Sequence, residues 1–220
     1  MSKVRVIPLD EWREKWTPVY HQIFTGVDLV DIWDNAKTHE EYEQAVKTGM
    51  FQNRDWQMVA IPGQFPEEWV QDPDDPLHDP DDPDDLFDER DEFLPLLETL
   101  QKLEVKEVVI SHVPMCKPED IGTSYCTSIA IPPRRQNVNI TFDYMKDVPH
   151  GAFSIEGNWG LTTHFDDYTV LAGDAGFMRT FFDVNGGEDK VRERFKLFAE
   201  TEWNIENPEF PKHFYKFLGW

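Results

Sequence analysis

The chain has 220 residues, 40% hydrophobic and 14% aromatic, with 43 acidic against 21 basic side chains and a formal charge of -22. That apolar content excludes a disordered chain, the lack of any apolar run of about eighteen residues excludes a membrane-spanning helix, and two cysteines exclude a disulfide framework. A globular protein of one α+β domain over 1–220 is expected.

The amino-terminal residues Lys3 to Leu9 alternate in polarity and predict a short strand. Asp10 is placed to cap a helix over Glu11 to Trp16, which Pro18 should end. No apolar core or cleavage site of a signal peptide and no lipidation motif stands in this stretch, so a cytoplasmic location is expected. Thr38 and Glu41 have the spacing of a capping box, and Gly49 stands where a C-cap belongs, which predicts a helix over 39–48. Residues Trp56 to Pro62 read as a strand, and Pro66 to Val70 as one or two proline-started helical turns.

The next segment changes composition sharply. Between Asp72 and Glu92 there are twelve acids and one base, Arg90, a net of -11 in 21 residues, while the other 199 residues carry 31 acids and 20 bases, again -11. Prolines at 73, 76, 80 and 83 remove amide donors and disfavour helix before each of them, and the carboxylates repel one another. An extended acidic loop over 72–92, set within the single domain, is the expectation.

Beyond the loop, Phe93, Leu94, Leu97, Leu100 and Leu103 form a helical stripe ending near Lys106, and Glu107 to Val113 reads as a buried strand. From Thr123 to Gly173 five runs are strand-like: 125–131, 137–144, 151–156, 159–165 and 168–172. Short Pro, Asn, Asp and Gly connections predict an antiparallel meander of five or more strands in the second half. Asp174 should cap a helix through Phe177, Met178, Phe181 and Phe182 that ends at Gly186 and Gly187. A further helix over Glu188 to Trp203 carries Val191, Phe195, Phe198 and Ala199 on one face. Grouped strands flanked by helices from both ends of the chain give the α+β class. The five aromatics between Phe210 and Trp220 read first as a tail docked on its own core, and the tryptophans as core or groove residues.

Several groups could carry chemistry. His164, Asp166 and Asp167 could hold a divalent ion, or a carboxylate could orient His164 as a base, although turn chemistry between two strands selects Asp at 166 and 167 in any case. His112, Cys116, Cys126 and His150 include zinc-type ligands, but only His112 and Cys116 have anything like paired-ligand spacing. The cysteines otherwise read as small apolar core residues. The acidic loop lacks the spacing and glycine of an EF-hand. No P-loop, dinucleotide fingerprint, nucleophile elbow or HExxH motif is present.

The charge decides the leading expectation. An anionic surface repels nucleic acid and acidic lipid and attracts a basic protein, so no nucleic acid, membrane or cofactor is expected as a partner. The expected function is an interaction protein of the antitoxin or immunity type, with Asp74, Asp75, Asp81, Asp82, Asp84 and Asp85 as capture residues. A metal-assisted hydrolase built on His164, Asp166 and Asp167, with His150 as a further ligand, and an inhibitor that mimics nucleic acid are the alternatives.

Overall fold

The computed structural model describes residues 5–25, 50–63, 70–71, 93–111, 128–133, 136–137, 151–164, 168–202 and 210–220. The helix expected over 39–48, the turns begun by Pro66, and the acidic run 72–92 lie outside the described residues.

Among the described residues the strands are β1 (Arg5–Val6), β2 (Gln57–Pro62), β3 (Val70–Gln71), β4 (Val108–Ser111), β5 (Ser128–Ile131), β6 (Gln136–Asn137), β7 (Gly151–Ser154), β8 (Trp159–His164) and β9 (Tyr168–Gly173). Seven of them form one sheet in the order β1-β5-β4-β7-β8-β9-β2, with every neighbouring pair antiparallel. Three of these seven, β1, β2 and β4, come from the first half of the chain. The fold is α+β, and β7-β8-β9 is the predicted meander. Only Gln136 and Asn137 of the strand expected over 137–144 and its approach are described, and they pair with β3 in a separate parallel ladder.

Helices cover both faces of the sheet. Residues of β4, β5, β7 and β9 are buried throughout, which is why these strands read as apolar runs and not as apolar-polar alternation. Alternate side chains nevertheless go to different cores. Ala60, Val109, Ala130, Phe153, Val170 and Ala172 join one, and Val59, Ile61, Val108, Ile110, Leu161 and Leu171 join the other.

The first core is roofed by α1, a continuous run built from an α-turn (Leu9–Glu11), a π-turn (Trp12–Trp16) and an α-helix (Thr17–Ile23). This corrects two expectations. Pro8, not Asp10, holds the N-cap position, and Pro18 does not end the helix. The Thr17 amide reaches five residues back to the Trp12 carbonyl, and the Thr17 hydroxyl donates to the same oxygen at 3.2 Å. The wider turn opens the ladder just before a proline that has no N–H to give and whose ring would crowd the preceding turn.

The second core is covered by α2 (Leu94–Lys102) and α3 (Ala175–Asn185). Helix α2 stops four residues short of Lys106, because Glu104 takes a left-handed φ of 57°. Its buried residues are Leu96, Leu97, Thr99 and Leu100, with Phe93 buried at its N-cap, while Leu103, expected on the stripe, is 39% exposed. Helix α3 matches its prediction: Asp174 Oδ1 accepts from the Phe177 amide at 2.7 Å, and Gly186 closes the helix at φ 76°. Gly173 leaves room for Phe177, since a Cβ there would lie 2.6 Å from the ring, and that ring stacks on Trp159 at 5.3 Å.

Helix α4 (Glu188–Glu202) wraps the β2 edge, with Val191 in the second core and Phe195, Phe198 and Ala199 in the first. The carboxyl-terminal residues do dock on the body: α5 (Phe210–Phe217) buries Phe214 and Phe217, followed by Leu218, in the first core. No helix among the described residues is long and apolar enough to cross a membrane.

Candidate functional site

The register of the sheet gives its two ends different characters. At one end the connections are short and described: the turn from Ser154 to Trp159, the step from Gly173 through Asp174 into α3, and the run from α2 into β4. At the other end Pro62, Ser111, Ser128, Gly151, His164 and Tyr168 terminate or begin their strands. Ser111 stands opposite both Ser128 and Gly151, Gly151 opposite Thr162, and His164 opposite Tyr168.

The buried polar side chains are concentrated at this second end. Seven are found among the described residues, and five of them, Ser111, Ser128, Thr162, Thr163 and Thr169, occupy its last rows. Each hydroxyl must find a partner once water is removed. Ser111 Oγ and Ser128 Oγ are 2.7 Å apart, Thr162 Oγ1 points to Met50 Sδ at 3.8 Å, and Thr169 Oγ1 donates to the Gly63 carbonyl at 3.0 Å.

The segments 64–69, 72–92, 112–127, 138–150 and 165–167 lie outside the described residues, and the acidic run over 72–92 carries a net of -11 in its 21 residues.

Most of the site residues expected from sequence belong to these segments. Asp74, Asp75, Asp81, Asp82, Asp84, Asp85, His112, Cys116, Cys126, His150, Asp166 and Asp167 lie outside the described residues, and His164 is described through its backbone as the last residue of β8. Among the described residues no three His, Cys, Asp or Glu side chains gather as a metal would require.

The closest charged cluster in the described body lies near the opposite end of the sheet. Arg5 forms a fork to Glu11 at 2.7 and 2.8 Å and a second contact to Glu107 at 3.1 Å, with Lys15 3.6 Å from Glu107. Trp16 Nε1 donates to Glu11 at 3.1 Å, and Lys15 Nζ lies 3.9 Å from the centre of the Trp16 ring. The Arg5 guanidinium holds the Glu11 carboxyl down at about 2, against desolvation, and both carboxylates raise Arg5 in return. Two acids and two bases that satisfy one another pin β1 and α1 to the start of β4. That is a structural clamp, and it offers a ligand no spare charge.

At the α4–α5 seam, Tyr215 stacks on Trp220 at 5.7 Å, and burial pushes its phenol above the usual range, with the Glu200 charge adding to the effect. Sequence reasoning missed the end-of-sheet grouping because strand order, unlike strand existence, leaves no local signal. Comparison of the chain with protein-family models, curated proteins and solved structures finds no match.

Proposed function

We propose that the protein captures a basic protein partner, in the manner of an antitoxin or immunity protein, through the acidic run over 72–92. The observation supporting this reading is the concentration of charge along the sequence: a net of -11 in those 21 residues, half of the formal -22. A segment of such charge attracts an approaching cation before contact and raises the association rate, an effect screened beyond about 10 Å at 0.1 M salt. Asp74, Asp75, Asp81, Asp82, Asp84 and Asp85 are the capture residues. Mimicry of nucleic acid asks for a carboxylate array fixed on regular elements, which the prolines at 73, 76, 80 and 83 disfavour in the acidic run.

The test uses the full chain, poly-L-lysine as probe, and a variant with those six aspartates changed to asparagine. Binding should weaken at least about 10-fold in the variant, and again in the wild type between low and high salt. Equal affinity of the two proteins at low salt would overturn the assignment of the capture residues. Salt-independent binding would overturn the electrostatic reading itself.

A further inference from the structure

Independently of partner capture, we infer that the seam between α4 and α5 holds a site for a small apolar carboxylic acid in its ionised form, with Arg192 Nε and Trp220 Nε1 as the two donors to its carboxylate. Three buried side-chain nitrogens among the described residues have no hydrogen-bond acceptor in the protein: Trp12 Nε1, Arg192 Nε and Trp220 Nε1. Buried indole and guanidinium N–H groups almost always meet an acceptor, because hydration lost without replacement is costly. Trp12 packs against the rings of Tyr20 and Phe153, with no second donor beside it. The other two are neighbours: the guanidinium carbon of Arg192 lies 5.4 Å from the centre of the Trp220 ring.

Both donors are fixed by the elements that carry them. Gly219 takes a left-handed φ of 77°, and the amides of Gly219 and Trp220 donate to the carbonyls of Lys216 and Tyr215 at 3.1 and 2.8 Å. This glycine-closed helix end turns Trp220 back onto the body. There the indole stacks on Tyr215 at 5.7 Å and meets Phe195 edge-on at 5.9 Å, so packing sets the direction of its N–H. On α4, Arg192 gives Nη2 to Glu188 Oε1 one turn earlier, which holds the guanidinium and leaves Nε unused.

Two N–H groups, one of them on a guanidinium, are what a carboxylate accepts through its oxygens at about 2.7–2.9 Å. Charge selects among the anions. Glu188 already shares the Arg192 cation, and the chain as a whole carries -22, so a phosphate dianion would bring a second charge to a cation that is already shared. Tyr215 and Trp220 are half-buried, and their rings leave apolar surface beside the donors for the body of an organic acid.

The experiment titrates the full chain with sodium butyrate at constant ionic strength, made up with sodium chloride, and reads saturation transfer to the butyrate methyl by NMR and the midpoint of thermal unfolding. Saturable binding and a higher midpoint are expected. Arg192→Lys keeps the charge and Trp220→Phe keeps a ring, while each removes one donor, and either should weaken butyrate at least about 10-fold. Arg13→Gln, exposed on α1, should leave it unchanged. The NMR reading is taken below the unfolding transition on protein shown to be folded by circular dichroism, and Arg192→Lys carries the test alone if Trp220→Phe unfolds. Absence of saturable butyrate binding would mean that water alone meets the two donors, and overturns the site. Equal affinity in wild type and variants overturns the assignment of the donors. Phosphate bound as tightly as butyrate overturns the choice of a carboxylate, and acetate bound as tightly overturns the apolar body.

Discussion

The two cores on either side of the sheet solve the same packing problem in opposite ways. In the core under α1 and α5, twelve of the 23 described buried residues are aromatic, and the sheet contributes Ala60, Ala130 and Ala172 beside Val109, Val170, Phe153 and Tyr168. Gly160 belongs to the same pattern, since a Cβ there would lie 2.6 Å from Ile23 and 3.0 Å from Phe24. In the core under α2 and α3 only five of the 20 are aromatic, and the sheet supplies Val59, Ile61, Val108, Ile110, Ile129, Ile131, Leu161 and Leu171. On one side aromatic roof residues fill the space left by the sheet's alanines, and on the other a sheet face of Val, Ile and Leu meets a roof of mixed Leu and Phe. Both reach dense packing because bulk and space are complementary across each layer.

Phe153 is the sheet residue that organises the rings of α1, and removing it should produce the largest effect. Its ring lies 6.2 Å from Trp12, Trp16 and Tyr20 and 5.9 Å from Phe24. Phe153→Ala should destabilise by about 3–5 kcal/mol in denaturant unfolding, since the rigid rings around it cannot collapse into the space. A cost below about 1 kcal/mol would mean that the aromatic layer is looser than its geometry indicates. Gly160→Ala tests the same face from the opposite direction. The added methyl meets a β-branched residue held in a helix, and overpacking should cost about 1–3 kcal/mol.

The aliphatic face should respond less to trimming. Ile110→Val removes one methylene from a fully buried site and should cost about 0.5–1.5 kcal/mol by thermal or denaturant unfolding. If it equalled Gly160→Ala, the contrast between the faces would carry no energetic meaning.

The smallest effect belongs to the clamp at the β1 edge. Glu11 is held at about 2 in the folded protein against its ordinary 4.5, so the unfolded chain binds more protons between these values and stability falls as pH drops through that window. Glu11→Gln should flatten this acid-side slope and cost less than about 1 kcal/mol at neutral pH, because Arg5 and Glu11 are respectively 36% and 29% exposed and solvent screens the pair. The check is unfolding free energy measured from pH 7 down to pH 3 in both proteins. Identical slopes would show that the pair contributes nothing to acid stability.

Much of this architecture was legible wherever a local signal decides the outcome. Asp174, Gly186 and the Val191/Phe195/Phe198 spacing specify α3 and α4 through capping and periodicity, which act within one or two turns. The π-turn was not legible, because Pro18 signals a stop and the way around it is set by contacts of Trp12 and Trp16 with the sheet. Leu103 fits the apolar period, yet the left-handed Glu104 turns the chain out of the helix immediately after it. Strand order was hidden for a related reason: β4 pairs with β5 and β7, and β2 with β9, through contacts far apart in sequence. The candidate end of the sheet shares that limit: that Ser111, Ser128, Thr162, Thr163 and Thr169 gather at one end of it becomes visible only in the register.

The placement of α4 also bears on how the protein avoids self-association. A seven-stranded sheet has two open borders, and an uncovered border templates the addition of further chains. By wrapping β2, α4 closes one of them. At the other, β1 offers two residues among those described, one of them the clamped Arg5. Loosening α4 from β2 would therefore expose the longer border, and fibre formation, not loss of the fold alone, would be the damage to look for.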